Sequence, residues 1–295
     1  MEKILEIQGL NVSIAGSDIL NLKDETIIIN KGDIVGIIGE NGAGKTTLIN
    51  CIIDKIHYSG NIERGFCANE LGVQFQINSY NKLMKVFEII QIVTGITRFD
   101  EEFEKKLSQF ELKGLLKKKI GKLSVGELQR LTLFLVLYLK PNVLIFDELT
   151  TGLDYQKRTE LLELVKEYSK GKTVFTITHY FEELLDWANK FLILHKGNLV
   201  FYGTLNELQE KYKHHSIIKI PINVKESFIN QCGENITMVD LNEKYTGVVV
   251  YTEEEQRRLI KKISGQNIGF QIEPNGIYSL YTLAIMSMKG DEKIC

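Results

Sequence analysis

Ile34-Val35-Gly36-Ile37-Ile38-Gly39-Glu40-Asn41-Gly42-Ala43-Gly44-Lys45-Thr46-Thr47, continued by Leu48-Ile49-Asn50-Cys51-Ile52-Ile53, decides the fold of this 295-residue chain. The apolar run 34–38 reads as a buried strand, and residues from Leu48 open an amphipathic helix. Between them stands G-x-x-x-x-G-K-[ST], the spacing of a phosphate-binding loop. Its glycines let the backbone curl so that successive N–H groups point inward at an anion. The loop feeds a helix N-terminus, whose dipole and unpaired N–H groups favour negative charge. Gly39, Glu40, Asn41, Gly42, Ala43, Gly44, Lys45, Thr46 and Thr47 are therefore the expected contacts to a nucleotide's phosphates. Lys45 offers a mobile charge to the β- and γ-phosphates, and the Thr46 hydroxyl offers a ligand to Mg²⁺.

A second signal lies downstream. Val143-Leu144-Ile145-Phe146-Asp147-Glu148 is an apolar strand ending in two acids. Strand C-termini of a parallel sheet are where ligands gather. Asp147 is placed to hold Mg²⁺, directly or through water, and Glu148 to polarise a water for attack on the γ-phosphate. Alone, such a pair reads as an ordinary strand-to-loop junction; the phosphate loop upstream changes that reading.

Working outward, the net charge of −2 provides no global basic field for nucleic acid. The cysteines at 51, 67, 232 and 295 lack paired spacing and read as reduced thiols, not as a disulfide frame or zinc site. Met1-Glu2-Lys3 has no long apolar follow-on, so no secretory leader is expected. The longest apolar run, Leu131 to Leu139, is interrupted by Thr132 and falls short of the ~20 residues of a membrane span. Work at a membrane would require another chain to cross it.

The N-terminus alternates through Leu5 and Ile7, then resumes out of phase after Gly9 at Leu10, Val12 and Ile14, which predicts a bulge. Residues 18–22 are expected to turn, with strand 26–29 after them. Two short strands are expected in 60–76, then helices from Leu83 to Leu123, with Lys117-Lys118-Lys119 a solvated helix end. A helix opens near Ser124, and strands and helices alternate to about Tyr212, the mark of an α/β domain with a mostly parallel sheet. After a composition shift at 211–216, a β-α-β-β-α-β order with a closing helix predicts a small ferredoxin-like domain over 213–295.

Leu123-Ser124-Val125-Gly126-Glu127-Leu128-Gln129-Arg130 is the most telling stretch. Here the chain resembles the nucleotide-binding subunits of ATP-binding cassette (ABC) transporters, whose signature is LSGGQ-x-QR. The motifs also follow that family's order: phosphate loop, Gln76, the signature at 123–127, Asp147-Glu148, Gly152-Leu153-Asp154 and Thr178-His179. The resemblance covers roughly residues 3–212. It implies a P-loop NTPase cassette at 1–212, with an antiparallel β-subdomain and a helical subdomain at about 78–139. It further implies ATP and Mg²⁺ as ligands. Two subunits, a homodimer by expectation, would sandwich two ATP molecules head to tail. Ser124 and the Gly126 N–H would bind the γ-phosphate of the partner's ATP. Glu148 is the implied catalytic base, with His179 holding water and base in register. Gln76 would reach Mg²⁺ and the water, and would relay nucleotide state to a separate transmembrane permease. Asp154 would lie at the dimer seam.

Several residues depart from the family pattern. Val125 replaces a glycine, Glu127 a glutamine, and Leu149 a usual proline. The adenine-stacking aromatic is absent: the matching place is close to Ile14, and no Phe, Tyr or Trp precedes Tyr58. Weaker discrimination between ATP and GTP is expected. The stretches Leu83–Glu88 and Phe181–Gly203, and the closing helix within Pro274–Leu283, resemble the export-type branch. The reading is therefore a cytoplasmic exporter motor, peripheral on the inner face of the cell membrane. The alternatives are an importer ATPase with a C-terminal regulatory domain, and a non-transport ATPase on nucleic acid; the acidic balance and the lack of a coiled-coil insert count against the latter.

Overall fold

The N-terminal strands carry their pairing rule in their alternation. In the computed structural model, which describes residues 2–288 except 15, 77, 99, 233–235 and 267, β1 (Lys3–Ile14) pairs antiparallel with β2 (Ser17–Asn30). The register shifts between Gln8 and Leu10, and Gly9 has φ +58°, so the phase slip in the sequence is a bulge. The turn expected at 18–22 is corrected: Asp18 pairs with Ser13 and Asn21 with Asn11, inside β2. Asp and Asn favour turns locally, but Leu20 and Leu22 bury one face of the strand and that burial prevails.

Then follow β3 (Ile34–Ile38), α1 (Lys45–Ile52), β4 (Ser59–Arg64) and β5 (Leu71–Gln74). Next are the helices α2 (Val86–Thr94), α3 (Glu101–Gln109) and α4 (Val125–Tyr138). β6 (Val143–Asp147), α5 (Tyr155–Tyr168), β7 (Thr173–Ile177) and α6 (Glu182–Leu185) complete the series. β4, β1 and β2 form an antiparallel layer in that order. β3, β7, β6 and β5 form a parallel sheet in that order. Every residue of β6 and β7 is buried, which is why neither shows the apolar-polar alternation of a half-exposed strand. The helices share a core of Phe103, Phe110 and Phe134, whose rings meet edge to face. Leu149, in the place of the usual proline, is buried in that core.

The chain forms two compact units: 1–190 with 196–199, and 191–195 with 200–295. The 212/213 boundary expected from the sequence falls inside the second. That unit continues through β8 (Lys190–His195), β9 (Asn198–Gly203) and α7 (Leu205–Lys211). Beyond these lie β10 (Ser216–Pro221), α8 (Lys225–Cys232), β11 (Thr237–Asp240), β12 (Tyr245–Val250), α9 (Glu253–Gly265), β13 (Gln271–Pro274) and α10 (Ile277–Met288). The last four strands lie in the order β11-β12-β10-β13, all antiparallel neighbours. β12 is thus inserted between the two strands joined by α8, the split βαβ of a ferredoxin-like fold. Ile218, Ile220, Phe228, Val248, Leu259 and Ile263 pack as its core.

Among the described residues no helix is long and apolar enough to cross a membrane. Cys51 is a buried and Cys67 an exposed free thiol; Cys295 and the side chain of Cys232 lie outside what is described.

Candidate nucleotide-binding site

β3 ends at Ile38 and the chain turns through Gly39–Gly44 into α1. Gly42 (φ +80°) and Gly44 (φ +97°) are left-handed, a conformation that a side chain disfavours. Gly44 caps α1, and a Cβ there would stand 3.0 Å from Leu20 Cδ1. The cap has no side-chain acceptor, so the first N–H groups of α1 are left for a ligand. Lys45 curls back over the loop, its Nζ donating to Gly39 O at 2.7 Å and Glu40 O at 2.9 Å. Burial holds the Lys45 ammonium below its usual range, against the pull of the Glu148, Asp147 and Glu40 carboxylates. A triphosphate arriving in the loop would supply the charge that this buried cation lacks.

Asn41–Thr47, Gln76, Glu148, His179 and Ile19 line one cleft. The Thr46 hydroxyl donates to Asp147 Oδ2 at 3.1 Å, bringing the two expected Mg²⁺ ligands together. Burial pushes the Asp147 carboxyl up, the Thr46 hydrogen bond opposes this, and the neighbouring Glu148 charge adds to it. A cation beside Asp147 would reverse that penalty. Thr46, Asp147 and Gln76 offer hard oxygen donors of the kind that Mg²⁺ takes alongside phosphate oxygens. Among the described residues no three His, Cys, Asp or Glu side chains cluster to hold a metal, so an ion here would depend on the phosphates for further ligands.

Glu148 follows β6 in the left-handed region (φ +52°), an uncommon place for a non-glycine residue and one that clusters at functional sites. Its N–H donates to Ile177 O at 3.0 Å, which fastens the turn to β7. The carboxylate is gripped from three sides: His179 Nε2 at 2.6 Å on Oε1, Gln76 Nε2 at 2.6 Å and Thr151 Oγ1 at 3.2 Å on Oε2. The three residues proposed for chemistry from three distant motifs thus meet at one carboxylate.

Ser124, Gly126 and Asp154 line a different cleft, with Glu127, Arg130 and Lys157. Ser124 caps α4: its Oγ accepts from Glu127 N at 3.2 Å, and Glu127 Oε2 accepts from Ser124 N at 2.7 Å, a reciprocal capping box. Glu127 is also bound by Lys118 Nζ at 2.7 Å. The reading of Lys118 as merely solvated is therefore corrected. Burial pushes the Glu127 carboxyl up, but Lys118 and the Ser124 N–H outweigh this and hold it below its usual range. Asp154 caps α5, accepting from Lys157 N at 3.0 Å. Val125 is 60% exposed at the start of α4.

Three features escaped the sequence reading. The apolar residue in the phosphate-loop cleft is Ile19, whereas Ile14 is not among its lining residues. The Lys196-Gly197 turn touches the loop, Gly197 N donating to Ala43 O at 3.2 Å. Glu183 forms a hub: Arg158 Nε pairs with its Oε1 as an ion pair at 3.2 Å, and its Oε2 accepts from Thr178 Oγ1 at 3.2 Å and Thr150 Oγ1 at 3.4 Å. Arg158 in turn lies over the Tyr180 ring at 4.0 Å. The available signal was the spacing: Glu183 is four residues past His179, and Arg158 four past Asp154.

The family model for ABC transporters matches residues 22–151. The chain is 30% identical over 234 residues to the energy-coupling factor transporter ATP-binding protein EcfA2 of Mycoplasma pneumoniae, covering 68% of this chain and 75% of that one. It is 28% identical to the linearmycin resistance ATP-binding protein LnrL of Bacillus subtilis, over 76% of this chain and 77% of that one. It spans only 36% of an ABC transporter ATP-binding protein of Lactobacillus johnsonii, to which it is 32% identical over 63% of its own length. A solved ATP-binding subunit of an ABC transporter superposes with a TM-score of 0.62 at 25% identity, covering 71% of this chain and 93% of that one. With the phosphate loop, signature helix and acidic strand end in that order, the chain belongs to the family of ABC transporter ATP-binding subunits.

Proposed function

We propose that this chain binds and hydrolyses ATP as the motor subunit of an ABC exporter, coupling ATP-driven dimerisation to transport by a separate transmembrane permease. The carrying observation is the Glu148 carboxylate, held by His179 and Gln76 at the mouth of the phosphate loop. Glu148 acts as the base that takes a proton from the attacking water. His179 orients that carboxylate and the water, and Gln76 spans from the water toward the ion. Lys45, the loop N–H groups and Thr46 bind and orient the phosphates. Thr46, Asp147 and Gln76 would hold Mg²⁺, which when bound would supply charge neutralisation of the phosphate oxygens.

Ser124, Gly126 and Asp154 line their own cleft rather than the phosphate-loop cleft. Two copies arranged head to tail would bring each signature helix to the other copy's ATP. A homodimer on the cytoplasmic face of the membrane is the assembly that this reading requires. The cassette is placed at 1–212, with 213–295 an accessory domain. A chain truncated before His214 is expected to keep nucleotide binding; loss of binding would move that boundary.

The test is ATPase activity of the purified chain beside Glu148→Gln, with sizing of both in ATP. Hydrolysis by the wild type and an ATP-trapped dimer of the variant support the motor. Absence of both would sink it. Import is the second reading, favoured by the similarity to the methionine import ATP-binding protein MetN of Haemophilus ducreyi, 28% identical over 221 residues, and by the ferredoxin-like unit, which suits a small-molecule sensor. Stimulation of membrane-bound ATPase by an extracellular cargo-binding protein would select import over export.

A further inference from the structure

The first unit contains an apolar cavity that the ATP reading does not use. It measures about 470 Å³, within the range of small-molecule sites. Its floor is Phe110, Phe134 and Leu137, all buried. The Phe110 ring meets Phe134 at 5.4 Å between centroids and Tyr168 at 5.3 Å, so the phenylalanines back the cavity while the half-buried Tyr138 and Tyr168 present rings to it, suited to another aromatic body.

The rim carries three lysines. Lys106 is engaged already, 2.8 Å from Glu102 Oε1 and 5.6 Å over the Tyr138 ring. Lys140, left-handed at φ +50° just beyond α4, and Lys172, beyond α5, have no carboxylate within ion-pair distance among the described residues. Each follows a helix C-terminus, where the dipole favours a cation. That accounts for each position singly, but not for two ammonium groups converging on one aromatic cavity. Lys172 is half-buried, and burial followed by the charge of Lys140 holds it below its usual range. Glu167 is the one carboxylate among the cavity's lining residues.

We propose that this cavity binds a small amphipathic anion, its aromatic body seated against the Tyr138 and Tyr168 rings and its single acidic group between Lys140 and Lys172. The anion offsets the repulsion between the two ammonium groups, and the rings take the apolar body out of water. The site is separate from the phosphate loop and does not depend on the ATP reading.

The test is fluorescence titration of the full chain with 1-anilinonaphthalene-8-sulfonate, beside the uncharged N-phenyl-1-naphthylamine. One equivalent of sulfonate is expected to bind. The double variant Lys140→Gln/Lys172→Gln should weaken it at least about tenfold, the size of a lost charge-assisted contact. The uncharged probe should change by less than about twofold, and Glu167→Gln should tighten the sulfonate several-fold. Unfolding midpoints serve as the fold control; should the double variant not fold, single Lys172→Gln carries the same comparison. Unchanged sulfonate affinity, equal loss of both probes, uptake of several equivalents, or displacement by MgATP would each overturn the site.

Discussion

Truncating Glu183 to alanine should destabilise the first unit by about 2–4 kcal/mol, whereas Glu183→Gln should cost about 1 kcal/mol or less. The side chain is only 11% exposed, is ion-paired with Arg158, and accepts from Thr178 and Thr150. Alanine strands the Thr150 hydroxyl, which is 2% exposed; a buried hydroxyl without an acceptor costs about 1–3 kcal/mol. Thr178 loses less, because its Oγ1 still accepts from Tyr180 N at 3.0 Å. Arg158 loses its carboxylate but is 20% exposed and stays over the Tyr180 ring. The 3–5 kcal/mol of a fully buried broken pair therefore shrinks to about 1 kcal/mol. Glutamine keeps an oxygen for both threonines and sheds a charge whose burial is unfavourable, since burial pushes the Glu183 carboxyl above its ordinary 4.5 despite Thr178 and Arg158. The folded state thus holds that proton more tightly than the unfolded chain. This term lowers wild-type stability as pH rises from 4.5 through the folded value, and Glu183→Gln should flatten that slope. Urea unfolding at pH 7 reads the costs as midpoint shifts at constant m. Because Thr178 adjoins His179 and Thr150 follows the Glu148 turn, kcat of the proposed ATPase should fall in the alanine variant, with nucleotide affinity changed less than about twofold. An alanine cost below about 1 kcal/mol, or a glutamine cost equal to it, would refute the hub.

Restoring the family residue by Glu127→Gln keeps the capping box but releases Lys118. Both partners are partly exposed, so the loss should be under about 1 kcal/mol, while Glu127→Ala, which also breaks the cap, should cost about 1 kcal/mol more by urea midpoint. His214 is buried, with Nε2 2.8 Å from Ser279 Oγ and Nδ1 2.9 Å from Tyr212 O, and burial holds its pKa below the ordinary 6.5. Its contribution is complete above pH 6.5 and is lost as pH falls toward the folded value; unfolding midpoints at pH 7.5 and 5.5 should differ less in His214→Gln than in wild type. Gly60 has φ +99°, and a Cβ there would lie 2.4 Å from Gly9 O; Gly60→Ala should cost about 2 kcal/mol or more in urea unfolding. With Ile19 rather than an aromatic ring at the phosphate-loop cleft, GTP should compete with ATP within a few-fold, and a strong ATP preference in a competition assay would contradict this.

Local periodicity made most of the fold readable. The slip at Gly9 could be read because a strand buries every second residue, so one inserted residue shows as a change of phase. The strands at 143–147 and 173–177 lack alternation because both of their faces are covered. Residues 18–22 misled because Asp18 and Asn21 carry turn chemistry, while the pairing that overrides it comes from Asn11 and Ser13 on another strand. The same divide runs through the site. The phosphate loop is a continuous segment and was legible on its own. Gln76, Glu148 and His179 were grouped by motif order, but nothing local says that the first and third meet the second at 2.6 Å. Lys118 with Glu127, and Arg158 with Glu183, went unread because a surface charge finds its partner through tertiary placement, which charge counting along the chain does not encode.

The altered signature illustrates what geometry adds. From the sequence, Glu127 sets a negative charge beside an incoming phosphate. In the fold its carboxylate turns back onto the Ser124 N–H at its own helix cap and onto the Lys118 ammonium of the preceding segment, so the charge is matched within its own chain. Ser124 Oγ accepts from Glu127 N, and the Ser124 hydroxyl in turn supports the Glu127 carboxylate. In the proposed head-to-tail dimer a γ-phosphate would meet this helix N-terminus, whose dipole favours it. Val125 is 60% exposed, so in the proposed head-to-tail dimer its branched side chain would bear on the facing copy more than on its own fold. On this reasoning the two departures separate: Val125→Gly should change ATP-driven dimerisation with little effect on stability beyond about 0.3 kcal/mol of helix propensity. Glu127→Gln should do the reverse, and sizing in ATP beside urea unfolding distinguishes the two.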